Sequence, residues 1–198
     1  MMLSRRSFLA RTTAASALAA AIAPPLRAAA PSRIRVGTCT LDLKAAREAG
    51  LDGVEIRAGN AADTLEIADP KKIAAYKADM AETGLPICSI MMGLLNSHPL
   101  ATEPRAPGWL EQTIAGAAAL GAKNILVAFF GKGNLVENGR VKEDEFKVVV
   151  ERLRAAAPRA ADAGVILAVE SMLNAEQNER LLDAVGHPAV RIYYDVFN

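Results

Sequence analysis

The chain has 198 residues, a formal net charge of +1 and 23% charged residues. It has no basic stretch with interleaved aromatics, so nothing in it suggests a polyanion partner. Its 52% hydrophobic content supports a sizeable core. The two cysteines, Cys39 and Cys88, form no CxxC pair, which excludes the usual zinc and haem motifs. They read as small apolar residues inside strands, although an oxidising compartment would permit a disulfide.

Residues 1–28 read as a leader. Ser4-Arg5-Arg6-Ser7-Phe8-Leu9 supplies a positive start, an Ala-rich apolar run follows over 12–22, and Ala28-Ala29-Ala30 gives a small-residue exit. Arg5 and Arg6 before Ser-Phe-Leu resemble the twin-arginine export signal. That resemblance implies the twin-arginine export machinery as a partner, a periplasmic or otherwise exported location, and cleavage after Ala28. The alternative, a membrane anchor, fits poorly, because the run is shorter and less apolar than the ~20 residues of a span.

From residue 33 onward, strand and helix signals alternate. Strands are expected over 34–40, 53–57, 85–92, 124–130, 165–169 and 190–194. Helices are expected over 44–49, 69–83, 109–120, 142–163 and 174–182. Asp69-Pro70 sets an N-cap and a first helical proline. Gly50, Gly84, Gly121 and Gly164 each stop a helix just before a strand. A long polar loop is expected over 96–107, and Gly131-Lys132-Gly133 reads as a tight loop. Trp109 fits helix packing better than sugar stacking, and His187 reads as structural.

Strict alternation predicts an α/β fold with a parallel sheet. A doubly wound dinucleotide fold wants GxGxxG after its first strand, and none is present. A (β/α)8 TIM barrel needs about 250 residues. About 170 remain after the leader, which matches six of eight β/α units. The sequence therefore reads as an incomplete barrel over 33–198, a C-terminally truncated member of its fold with a homo-oligomer as one expected outcome.

The fifth and sixth strands end in carboxylates, Glu170 and Asp195. A carboxylate at the end of an apolar strand is costly to bury unless it is paired or bound to metal. In parallel α/β folds ligands bind beyond the carboxyl ends of the strands. Either residue alone could equally start a loop or cap a helix; as a pair at equivalent positions they mark a site. Glu55 is expected inside the barrel near the mouth, orienting substrate or paired with Arg57 or a lysine. His98, in the loop after the third strand, and Lys132, in the loop after the fourth, stand at the same mouth as candidate substrate contacts. Each also reads as an ordinary solvated side chain.

Leu51-Asp52-Gly53-Val54-Glu55-Ile56, Leu120-Gly121-Ala122-Lys123-Asn124-Ile125, Ala168-Val169-Glu170 and Ile192-Tyr193-Tyr194-Asp195-Val196-Phe197-Asn198 together resemble the xylose isomerase-like barrels, the sugar phosphate isomerases and epimerases. The resemblance implies a metal-dependent isomerase or epimerase of a sugar, sugar phosphate or related hydroxy-carbonyl compound, working by proton transfer through an enediolate. It implies a divalent metal held by a Glu, an Asp, a His and a second Glu. Glu170 would be the first ligand and Asp195 the second, with the other two beyond Asn198. Mn2+, Mg2+ or Co2+ would suit such a site, with Zn2+ as a further option. Glu170 would also be the proton-shuttling carboxylate. Glu176 would hydrogen-bond substrate hydroxyls, unless it is only a first-turn helix charge. Two other readings compete. One is a secreted, non-catalytic carbohydrate-binding barrel. The other is an abasic-site endonuclease-like barrel, disfavoured by two histidines and near-neutral charge.

Changing Arg5 and Arg6 together to Lys is expected to retain the precursor in the cytoplasm, as read by cell fractionation. Unchanged export of that double variant would remove the twin-arginine route.

Overall fold

A computed structural model describes residues 33–196 of the chain. The expected leader, with Arg5 and Arg6, lies outside the described residues, as do Phe197 and Asn198. Residues 35–198 form one compact unit. In chain order it runs β1 (Gly37–Thr38), α1 (Leu43–Glu48), β2 (Gly53–Arg57), α2 (Pro70–Thr83), β3 (Ile87–Met91), α3 (Ala106–Leu120), β4 (Asn124–Phe129), β5 (Val136–Glu137), β6 (Arg140–Val141), α4 (Glu143–Asp162), β7 (Ile166–Ser171), α5 (Ala175–Val185) and β8 (Val190–Ile192). Single 3-10 turns follow β2, β3 and β4 at Glu66–Ala68, Gly93–Asn96 and Gly131–Gly133. No helix among the described residues is long and apolar enough to cross a membrane.

The main sheet has six parallel strands in the order β1-β2-β3-β4-β7-β8. Each strand pairs with its predecessor, so every crossover advances in one direction. A doubly wound sheet reverses that order at its centre. The sequential order is that of a TIM barrel, and six β/α units of it are described.

Local chemistry explains the joints. Asp69 accepts a hydrogen bond from the Lys71 N–H at 2.8 Å, and Pro70 occupies the first turn of α2, where its missing N–H costs nothing. Asn174 and Gln177 form a reciprocal capping box at the start of α5. Such caps contribute about 1 kcal/mol each. On α4, Phe146, Val149, Val150, Leu153, Ala156, Ala157 and Ala160 recur at three- and four-residue spacing and face the core, while Glu143, Asp144 and Glu145 occupy the first turn. Trp109 is fully buried on α3, and its indole N–H donates to the Ala62 carbonyl at 2.6 Å. It is a packing residue, as its helical setting predicts. His187 is structural too: its Nδ1 accepts from the Ala189 N–H at 3.1 Å.

Three features differ from the sequence reading. β1 is only two residues long, because the Val36 N–H donates to the Asp52 side chain instead of entering a ladder. The hairpin β5–β6 was not expected. Its turn is Asn138-Gly139, with φ of 50° and 75°, the positive pair that a two-residue I′ turn requires. The cysteines are free and exposed rather than buried, although Cys88 is a residue of β3 as expected. Cys39 lies past β1, and Cys88 lies where the β2–β3 register shifts, its thiol donating to the Val54 carbonyl at 3.1 Å.

Helix α3 packs closely on the turn after β2 at Gly116. A Cβ there would stand 2.5 Å from Ile67 Cγ1 and 2.8 Å from the Ile67 carbonyl oxygen. Gly116→Ala is therefore expected to destabilise the protein by about 1–3 kcal/mol despite its gain in helix propensity. The midpoint of urea unfolding measures this, and an unchanged or raised midpoint would contradict the packing.

Candidate active site at the carboxyl ends of the strands

Alternation along each strand separates two faces. Val54, Ile87, Ile90, Ile125, Val127, Phe129, Leu167, Val169 and Val190 are buried and join the core under the helices. The intervening residues, Glu55, Ser89, Met91, Leu126, Ala128, Ala168, Glu170 and Arg191, face the concave side. Tyr193 continues that series, because its N–H extends the ladder to the Val169 carbonyl at 2.8 Å.

Glu170 is the penultimate residue of β7, half-buried, and lies directly across the ladder from Ala128 of β4. Its ladder partner Ala128 and its strand neighbour Ala168 both carry small side chains. Asp195 stands three residues beyond β8, outside the ladder, and lines a pocket with Ser171, Asn178 and Tyr194 that does not include Glu170. The Tyr193 phenol lies in the field of several carboxylates. Burial raises its pKa most, and the carboxylates of Glu55, Glu170 and Asp195 and the Cys39 thiol raise it further. Carboxylates on β2, on β7 and after β8 thus act on one phenol. Glu170 and Asp195 offer two hard oxygen donors for a cation. Among the described residues, no group of three His, Cys, Asp or Glu side chains is placed to hold one.

Glu55 sits deeper. Its register partner is Ser89 of β3. Glu55 Oε2 and Ser89 Oγ are both buried, and neither makes a hydrogen bond of good geometry. Burial pushes the Glu55 carboxyl above the usual range, and the adjacent Ser89 hydroxyl works against that rise. No ion pair joins Glu55 to Arg57 or to a lysine among the described residues.

The other candidates are dispersed. Glu176 is exposed in the first turn of α5, where the helix dipole favours it. Lys132 is exposed on the turn after β4. His98 lies in the loop after β3, its ring edge-on to Trp109 with centroids 6.0 Å apart, and it lines a pocket that contains neither Glu170 nor Asp195. Sequence reasoning brought together Glu170, Asp195 and Glu55 but passed over Tyr193 and Ser89. The signal for Tyr193 was its parity with Asp195. That for Ser89 was a hydroxyl inside an apolar run.

The raised Glu55 carboxyl sets a pH dependence. Its folded value exceeds the unfolded value of about 4.3, so its contribution is complete below that pH and is lost as pH rises through the folded value. Glu55→Gln is expected to raise the melting temperature at pH 7 and to lose that advantage near pH 4. A less stable Glu55→Gln at pH 7 would show instead that the charged carboxylate is the form the fold favours.

Comparison with known proteins follows the same outline. Residues 43–198 match the model of the xylose isomerase-like TIM barrel family. The chain is 25% identical over 157 residues to 2-epi-5-epi-valiolone 7-phosphate 2-epimerase of an Actinoplanes species, covering 79% of this chain and 56% of that protein. It therefore spans about half the length of that curated relative. The solved structure of 3-keto-D-glucoside 4-epimerase from E. coli superposes with a TM-score of 0.65 at 21% identity, covering 81% of this chain and 67% of that one. A xylose isomerase-like TIM barrel protein from Mycobacterium smegmatis in complex with magnesium superposes with a TM-score of 0.62 at 19% identity, covering 78% and 55%. With its six sequential β/α units and a family match over most of its length, the chain belongs to the xylose isomerase-like TIM barrel family.

Proposed function

We propose that this chain carries part of the active site of a metal-dependent epimerase or isomerase acting on a sugar, a sugar phosphate or a related hydroxy-carbonyl compound. What supports the reading is the position of Glu170 near the end of β7 and of Asp195 just beyond the adjacent parallel strand β8. The epimerase activity of the Actinoplanes relative supports it. The protein would work outside the cytoplasm, on the strength of the Arg5-Arg6 leader.

Glu170 and Asp195 would hold the metal. Both are oxygen donors, which suits Mg2+ or Mn2+, and the magnesium complex of the M. smegmatis protein supports a divalent ion. When bound, the metal would supply positive charge beside the carbonyl oxygen of the substrate. The chain's own residues do the rest. Inverting a centre beside a carbonyl requires removal of the proton on that carbon. The Glu170 carboxylate accepts it and, in an isomerisation, returns it to the neighbouring carbon; inversion of the same centre takes a second acid on the opposite face. The neutral Tyr193 hydroxyl, kept protonated by burial first and by nearby carboxylates second, donates to a substrate oxygen.

The test uses the full-length protein. Glu170→Gln keeps the shape of the side chain but removes its charge. It is expected to abolish turnover on a panel of ketoses and aldoses, by at least about a hundredfold, and to weaken Mn2+ in a calorimetric titration. Asp195→Asn is expected chiefly to weaken Mn2+, with turnover partly restored by excess metal. If both variants bind Mn2+ as the parent does, Glu170 and Asp195 are not ligands.

A further inference from the structure

A second polar pocket, of about 570 Å³, opens beyond the carboxyl ends of β2 and β3. Its polar wall is made by Arg57, Glu66, Tyr76, Asn96, Ser97 and His98. Glu170 and Asp195 are not part of it. Arg57 ends β2 two residues past Glu55, and its register partner is Met91, two residues past Ser89. The pocket thus continues the concave face at the next pleat.

The charge partners of this wall are unequal. Arg57 makes no hydrogen bond or ion pair among the described residues, whereas Arg105, Arg159 and Arg180 are each held by a carboxylate. Asn96 is oriented: its Oδ1 accepts the Phe130 N–H at 3.0 Å, so its amide NH2 is the end left for another partner. That orientation is fixed from the next loop, where a Cβ on Gly133 would lie 2.6 Å from the Leu95 carbonyl oxygen, so the two loops meet backbone to backbone. Ser97 adds a hydroxyl. The wall's one carboxylate, Glu66, already accepts from the Asn60 amide at 3.3 Å. Burial first, then Glu66 and Asp79, raise the pKa of the Tyr76 phenol, so it is a neutral donor. Donors therefore outnumber acceptors, around a guanidinium whose planar fork matches an oxyanion.

We propose that this pocket binds the anionic end of the substrate, a phosphate or carboxylate group, with Arg57 as its charge partner. Holding that group here keeps it away from the Glu170 and Asp195 carboxylates, which would repel it. The identity of the ligand as substrate rests on the proposed reaction; the anion site itself does not.

The experiment is calorimetric titration of the full-length protein, freed of metal, with inorganic phosphate and separately with acetate. Phosphate, acetate or both are expected to bind in the millimolar range. The stronger of the two identifies the group. Arg57→Gln is expected to weaken binding about tenfold or more, and Arg57→Lys to recover part of it. Glu66→Gln is expected to tighten it, a change of opposite sign that loss of folding cannot mimic. Glu170→Gln should leave it unchanged. Absence of binding by both anions, or an Arg57→Gln variant that binds as the parent does, overturns the proposal. Anion binding that persists when Glu170 and Asp195 prove not to bind metal would remove the proposed reaction and leave this site standing.

Discussion

The structure depends on the ladder between β4 and β7. Six consecutive pairs, from Asn124 with Ile166 to Phe129 with Ser171, make it the longest continuous pairing in the sheet. It joins segments separated by the β5–β6 hairpin and the whole of α4. Both strands are buried on the helix side, so a slip of one residue would turn Leu167 and Val169 toward the concave face and Glu170 into the core. An ionised carboxylate in that position would cost several kcal/mol. The apolar residues of β4 and β7 thus fix the direction in which Glu170 points, although none of them takes part in chemistry.

A smaller irregularity does the same for Glu55. Between β2 and β3 the register advances from Val54 opposite Ile87 to Glu55 opposite Ser89, so Cys88 is an extra residue on one side. This bulge brings the carboxyl and the hydroxyl onto one face. Bulges re-aim side chains near sites, and this one sets a carboxyl where burial favours its neutral form. The concave face therefore holds carboxyl groups in two settings: Glu55, enclosed and driven toward protonation, and Glu170 with Asp195, nearer the mouth.

Much of this was legible in the residues. Most helix–glycine–strand joints were visible because only a few residue types end a helix in the left-handed conformation, as Gly84 and Gly121 do. Glu170 and Asp195 stood out because a charge closing an apolar run has few structural explanations. What escaped notice depended on pairing that no local pattern encodes. The bulge at Cys88 exists only relative to β2, so Ser89 looked like one more strand residue. β1 was overestimated because its apolar residues cannot reveal that Asp52 takes the Val36 N–H. The hairpin was an oversight of a different kind, since Asn138-Gly139 is a strong local turn signal. It lay between a strand and a helix that already accounted for their neighbours.

The sequential strand order has a consequence for how the protein is made. Every pairing in the main sheet joins a strand to the one synthesised just before it, with at most one helix and a short hairpin between. Among the described strands, none pairs with a partner distant in the chain. Each β/α unit can therefore dock on the growing sheet as it leaves the ribosome, at synthesis rates of about 5–20 residues per second. The growing edge at any moment is the most recent strand, and the next unit to emerge covers it. In such an assembly the order of translation and the order of folding coincide, so that delays in translation between units fall at points where the part already made is a layered sheet and not a collection of unpaired strands.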